Sequence, residues 1–204
     1  MIAVIDYGLG NIAAFLNVFK RLNLEASVAR SAEDIFQATR FILPGVGSFD
    51  RAMQRLRESG MCEALTERVV GDEAPVLGVC VGMQMLARSS EEGEEAGLGW
   101  IDGSVKGLES LQHTAKLPLP HMGWNDVEPA GENGLFSEFE PGAKFYFLHS
   151  YYLECDRPKD TAAIAIYGTQ FSCAVSRRNV HGVQFHPEKS HHFGSRLLEN
   201  FAGL

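Results

Sequence analysis

No run of about 18 consecutive apolar residues occurs in the chain, so no helix able to span a bilayer is encoded. The apolar start Met1–Ile5 is broken by Asp6, well short of the apolar stretch of a secretory signal. A cytoplasmic location is expected. Basic residues are scarce: 18 Lys and Arg face 26 Asp and Glu, leaving a net charge of −8. Nucleic acid and anionic membrane both need a basic face, so neither is an expected partner. The adjacent Arg177 and Arg178 read as a solvated turn. Cysteine is sparse and scattered (Cys62, Cys80, Cys155, Cys173), with no C-x-x-C, and four free thiols are expected. No Gly-Lys-Ser/Thr triplet exists, which excludes a P-loop. Gly8-Leu9-Gly10-Asn11-Ile12-Ala13 has dinucleotide-loop spacing, but no acidic residue closes the second strand near Ala29, so a dinucleotide is not expected. His186, His191 and His192 lack any metal-ligand spacing, and neither metal nor cofactor is expected. His191 and His192 read as surface or partner-facing groups.

What is present is an ordinary globular composition, 45% apolar and 22% charged over 204 residues, enough for one domain spanning residues 1–204. Short apolar runs alternate with helical periodicity. Ile2–Ile5, Ala26–Ala29, Phe41–Leu43 and Val76–Val79 read as strands. Asn11–Leu22, the segment through Met53 and Leu56, Cys62–Val70 and Val81–Ala87 read as helices. The second half is richer in β-like runs: Lys144–Leu148, Ala162–Tyr167, Phe171–Ser176 and Val180–Phe185, before a last helix at about Gly194–Phe201. The expected fold is α/β: a mixed, largely parallel central sheet with helices on both faces. The acidic stretch Glu91–Gly99 reads as a solvated loop, and Glu109–Pro120 as an irregular one.

Gly78-Val79-Cys80-Val81-Gly82 is the sharpest chemical signal. A buried strand enters a tight turn, a helix leaves it, and a nucleophile sits at the apex. The glycines fit where strand and helix pass too close for Cβ atoms. The free N–H groups at a helix start favour a thiolate and can serve an oxyanion. The bland alternative is a buried cysteine ending a strand. A nucleophile needs a base and an orienter, and His186-Pro187-Glu188 follows the run Val183–Phe185. In an extended segment residues two apart point the same way, so Glu188 can reach the far imidazole nitrogen of His186. Pro44-Gly45-Val46-Gly47 ends another strand at the same sheet edge, where glycines leave the backbone free to turn an N–H inward. Its bland alternative is a plain strand-to-helix turn.

Together, Gly78–Gly82 running into Met83-Gln84, Pro44–Gly47, and His186-Pro187-Glu188 resemble the class I glutamine amidotransferases. Ile5-Asp6-Tyr7-Gly8 with Gly10-Asn11, Pro120–Asn125 (PHMGWN), Phe145–Tyr152 (FYFLHSYY) and Gln184–Ser190 (QFHPEKS) are similar to the glutaminase-subunit family of imidazole glycerol phosphate synthases. The resemblance runs nearly end to end. It implies hydrolysis of glutamine through a γ-glutamyl thioester, with ammonia passed to a barrel-type cyclase partner in histidine biosynthesis. By position it implies Cys80 as nucleophile, His186 as base and Glu188 as orienter. Val46 and Val81 would supply oxyanion N–H groups, Gly47, Gln84 and Glu92 would hold glutamine, and Asn11, Trp124, Tyr146 and Lys189 would face the partner. It also implies little activity without that partner. Val81 stands where Leu is more usual. The stretches around Trp100, Leu117–Pro120 and Lys189–Phe193 are similar to a paralogous group serving surface- or flagellar-sugar pathways. That alternative for the ammonia acceptor stays open here, as do an inactive regulatory module and a cysteine peptidase or thioester hydrolase.

Overall fold

The structure is a computed structural model and describes residues 1–111 and 117–204. The first half runs β1 (Ile2–Ile5), α1 (Ile12–Arg21), β2 (Ala26–Ala29), α2 (Ala32–Gln37), β3 (Arg40–Gly45), α3 (Phe49–Glu58), α4 (Cys62–Thr66), β4 (Val76–Cys80) and α5 (Val81–Gln84). The second half contributes β5 (Ser89–Ser90), β6 (Gly103–Gly107), β7 (His121–Asp126), β8 (Glu128–Pro129), β9 (Lys144–His149), β10 (Tyr151–Cys155), β11 (Thr161–Tyr167), β12 (Thr169–Arg177), β13 (Val180–Val183) and α6 (His191–Gly203).

Eight strands form the main sheet in the order β2-β1-β3-β4-β13-β12-β11-β8. From β2 to β13 every pairing is parallel; from β13 to β8 every pairing is antiparallel. Every residue of β1, β4 and β13 is buried, so both faces of the sheet centre are covered. The cover is helical, with α1 packed on α6 and α2 on α4. Helix α1 turns Phe15, Val18 and Phe19 inward, and the Asn11 side chain caps it by accepting from the Ala14 N–H at 3.2 Å. One apolar cluster runs through the molecule, from Ile5 and Phe19 to Phe171 and Phe201. A three-stranded sheet (β10-β6-β5) and the β7-β9 ribbon complete the β structure among the described residues.

Several elements differ from the sequence reading. Helix α2 was not expected; a capping box between Ser31 and Asp34 starts it, and only Ile35 is buried, too little apolar periodicity to see. Strands β6, β7 and β10 were not expected either, because they pair outside the main sheet and each buries only part of its length. The helix expected over Cys62–Val70 is α-helical only to Thr66 and then widens into a π-turn, Glu67–Gly71. The one expected over Val81–Ala87 stops at Gln84. Pro44 and Gly45 lie inside β3 rather than in the following loop. Part of the loop expected at Glu109–Pro120 lies outside the described residues.

Candidate active site

The register of the parallel sheet assembles the centre. Gly45 at the end of β3 pairs with Cys80 at the end of β4, so the segment leaving β3 runs beside the cysteine. Cys80 has φ +57° and ψ −115°, a conformation costly for a residue with a Cβ, on the order of 1–3 kcal/mol. The surroundings enforce it. A Cβ on Gly82 would collide with the Leu43 carbonyl, one on Gly45 with the Gly82 amide, and one on Gly78 with the Gly82 carbonyl. These three glycines let β3, β4 and α5 close around the turn, and Val81 opens α5 with Cys80 as its N-cap.

His186 follows β13, the other neighbour of β4. Its Nδ1 lies 2.9 Å from Glu188 Oε1, and both side chains are buried, at 6% and 3% exposure. In place of the extended segment expected from the sequence, Pro187–Lys189 is a 3-10 turn, which curls Glu188 back to that nitrogen. Burial by itself would lower the affinity of the ring for a proton. Hydrogen bonding and charge pairing with Cys80 and Glu188 outweigh it, and the imidazole pKa is raised to about 9. The ring is thus held as a cation near pH 7, between the Cys80 and Glu188 side chains. Among the described residues the sulfur also makes two long polar contacts, with the Leu148 carbonyl at 3.8 Å and with Gln184 Nε2 at 3.9 Å.

A cavity of about 310 Å³ opens on this centre, lined by Val46, Gly47, Cys80, Val81, Gln84, Glu92 and His186 among others. The expected catalytic, oxyanion and glutamine-binding residues therefore meet in one place, apart from Glu188, which stands behind the histidine. A larger recess of about 500 Å³ lies by β8 and β11, but Asp126, Glu128 and Glu140 line it with no cysteine or histidine. Size does not make it the reactive site.

The family model for class-I glutamine amidotransferases matches residues 3–203. The chain belongs to that family. It is 56% identical to the imidazole glycerol phosphate synthase subunit HisH of Bdellovibrio bacteriovorus and 50% identical to that of Leptospira interrogans, each match covering all of both chains. A crystal structure of a glutamine amidotransferase superposes with a TM-score of 0.77 at 22% identity, covering 100% of this chain and 99% of the other, a likeness of fold.

For a glutamine amidotransferase the polar lining of the cavity is informative. Gln84 Nε2 donates to the Tyr151 carbonyl at 3.2 Å and to Gln184 Oε1 at 3.1 Å, so its amide oxygen is the part left for a ligand. Glu92 is half-buried and accepts from the Phe49 N–H at 2.8 Å. The acidic stretch around it is a loop with Glu91 and Glu94 exposed, as expected, but it is strapped to α3. Residues missed in the sequence also surround the centre. Tyr7 is buried and its hydroxyl donates to the Pro44 carbonyl at 2.6 Å, pinning the start of the segment beside Cys80. Burial, then the charge of Cys80, pushes the Tyr7 phenol up, so it stays a donor. His149 shares the cavity wall with Leu148, Ser150 and Tyr151. Its Nδ1 lies 2.8 Å from the Tyr151 carbonyl and its Nε2 lies 2.9 Å from His121 Nδ1. Burial lowers these two pKa values to about 3 for His149 and about 4 for His121, so both rings are neutral near pH 7. Tyr7, His121 and His149 lie inside strings that carried the resemblance, yet only the tertiary contacts assign them a role.

Three of the four expected partner-facing residues form a surface ladder beside the cavity. Lys189 Nζ lies 5.7 Å from the Tyr146 ring centre, Tyr146 meets Trp124 edge-on at 6.1 Å, and Trp124 stacks on His191 at 5.2 Å. Asn11 is exposed at the start of α1, which packs against the Pro187–Lys189 turn. Val46, Leu119, Met122, Trp124 and Leu148 are exposed large apolar residues. The four cysteines are free thiols. No helix among the described residues is long and apolar enough to cross a membrane, and no group of three metal-ligating side chains occurs among them.

Proposed function

We propose that this chain is the glutaminase subunit of an imidazole glycerol phosphate synthase, working in the cytoplasm and supplying ammonia for histidine biosynthesis. Full-length identity of 56% and 50% to HisH subunits favours this acceptor pathway over the sugar-pathway alternative. The observation that carries the chemistry is the meeting of Cys80 with His186, itself backed by Glu188, on a cavity that also holds Val46, Val81, Gln84 and Glu92.

In this reading the Cys80 thiolate attacks the side-chain amide carbon of glutamine. The oxygen takes negative charge, which the Val46 and Val81 N–H groups stabilise. His186 gives its proton to the amide nitrogen as the C–N bond breaks, releasing ammonia and leaving a γ-glutamyl thioester. The neutral imidazole then takes a proton from water, which attacks the thioester. Glutamate leaves and the thiolate is restored with His186 again protonated. Glu188 holds the ring and stabilises its cation. The Gln84 amide oxygen and the Glu92 carboxylate suit the α-ammonium of the amino acid, and Gly47 gives it close access to backbone. Ammonia passes to a barrel-type cyclase seated on the face bearing Asn11, Trp124, Tyr146 and Lys189.

Reconstitution with the cyclase tests this. Cys80→Ala is expected to abolish glutamine-dependent synthesis and to spare synthesis from ammonium salt, because the acceptor site belongs to the partner. Parallel loss of both activities would refute the two-site scheme.

A further inference from the structure

The start of α3 is built unusually. Its N-cap, Ser48, makes no side-chain capping bond, so the free N–H of Phe49 must find another acceptor. That acceptor is Glu92, 43 positions away, at 2.8 Å. The next residue, Asp50, returns the favour. Its Oδ2 accepts from the Glu94 N–H at 3.0 Å and its Oδ1 from the Glu95 N–H at 3.0 Å. Gly93, between these contacts, has no room for a Cβ because Asp50 fills the space. Glu95 continues the clasp by accepting from Gln54 Nε2 at 3.0 Å and pairing with Arg57. Helix α3 begins two residues after Gly47, so one clasp joins the backbone beside Cys80 to the carboxylate on the cavity wall.

We propose that Asp50 is a positioning residue for glutamine: by holding the backbone of 93–95 against α3 it fixes Glu92 on the cavity wall, with one oxygen on the Phe49 N–H. The proposal rests on the reading that Glu92 receives the α-ammonium of glutamine. Without Asp50 the Glu92 segment gains freedom that binding must then remove, while Cys80, His186 and the elbow are untouched. The effect belongs in affinity for glutamine, not in the chemical step.

The test uses the complete complex with its cyclase. With two hydrogen bonds lost, a rise in KM for glutamine of about tenfold is the expected result for Asp50→Ala. The kcat at saturating glutamine and the ammonium-dependent rate should stay within about twofold. Asp50→Asn keeps one acceptor and should recover part of the affinity; it decides the matter if the alanine variant does not fold. Gly93→Ala, which displaces the clasp from the other side, should resemble Asp50→Ala. Alkylation separates positioning from general loosening: Asp50→Ala should slow labelling of Cys80 by a chloroketone analogue of glutamine and leave labelling by iodoacetamide unchanged. Unchanged KM and chloroketone labelling in the Asp50 variants, with both impaired in Glu92→Gln, would overturn the clasp and leave the Glu92 reading intact. Indifference of Glu92→Gln as well would remove that reading. A fall in kcat at constant KM would also overturn the proposal.

Discussion

The side chains differ in what holds them reactive or inert. Desolvation pushes up the thiols of Cys62, Cys155 (to about 11) and Cys173, leaving little thiolate in any of them near neutral pH. Cys62 also opens a helix, but Cys80 alone sits beside a cationic imidazole. Alkylation at pH 7.5 followed by peptide mass mapping should therefore mark Cys80 first, and dominant labelling at any other cysteine would contradict the arrangement. A second consequence concerns acid stability. His121 and His181 have pKa values lowered to about 4, and His149 to about 3, all by burial. In the unfolded chain each titrates near 6.5, so below that pH the unfolded state binds more protons and gains. Stability from these groups is complete above pH 6.5 and is lost as pH falls toward 4. The urea midpoint should decline across that window. Replacing His181, whose Nδ1 lies 2.9 Å from Ser176 Oγ, by Gln should reduce the slope by up to one proton, about 1.4 kcal/mol per pH unit. An unaltered slope would mean that His181 does not titrate on unfolding.

Between elements, the decisive contact is the closure of β3, β4 and α5 around the elbow. The G-x-C-x-G spacing signals a tight turn, and Gly78 and Gly82 do lie at backbone contacts that leave no room for a methyl group. Gly45, in contrast, read only as a source of flexibility. Its more stringent task is to let β3 lie against the Gly82 amide. Gly82→Ala should cost about 3 kcal/mol by overpacking, since the obstructing atoms are backbone that no rotamer change can move. Chemical denaturation would measure it; a loss under 1 kcal/mol would show that α5 can shift aside. The missed elements share a physical cause. Strands β6, β7 and β10 and helix α2 bury too little of their length to leave a strong period, whereas β1, β4 and β13 are continuous apolar runs because both of their faces are covered.

In the molecule as a whole, the cavity and the aromatic ladder share one edge, because Lys189 lines the first and begins the second; under the proposed function a partner seated there can act on the backbone beside Cys80. Val46 and Gly47 are exposed; Gly47 has φ +87° and nothing near the position of a Cβ, while the Tyr7 hydroxyl anchors Pro44. The peptide between a fixed Pro44 and the capped start of α3 thus has space to reorient. One misdirected oxyanion donor costs roughly 10²–10³ in rate, and a partner that favours the competent state can recover it. The isolated chain should hydrolyse glutamine slowly, with stimulation of that order by the cyclase and its acceptor ligand, and Trp124→Ala should weaken the stimulation. Full turnover by the chain alone would remove the gating role of Pro44–Gly47. By itself the sequence determined the sheet centre, the elbow, the histidine–glutamate pair and the family, because buried parallel strands and tight glycine turns demand residue types that show in a linear pattern. Only the tertiary structure decided that Glu92 caps α3, that Asp50 clasps its segment, that Tyr7 holds Pro44 and that His121 and His149 stack their hydrogen bonds behind the cavity. Those contacts join positions 28 to 45 residues apart, through single polar atoms that leave no period in a chain read locally.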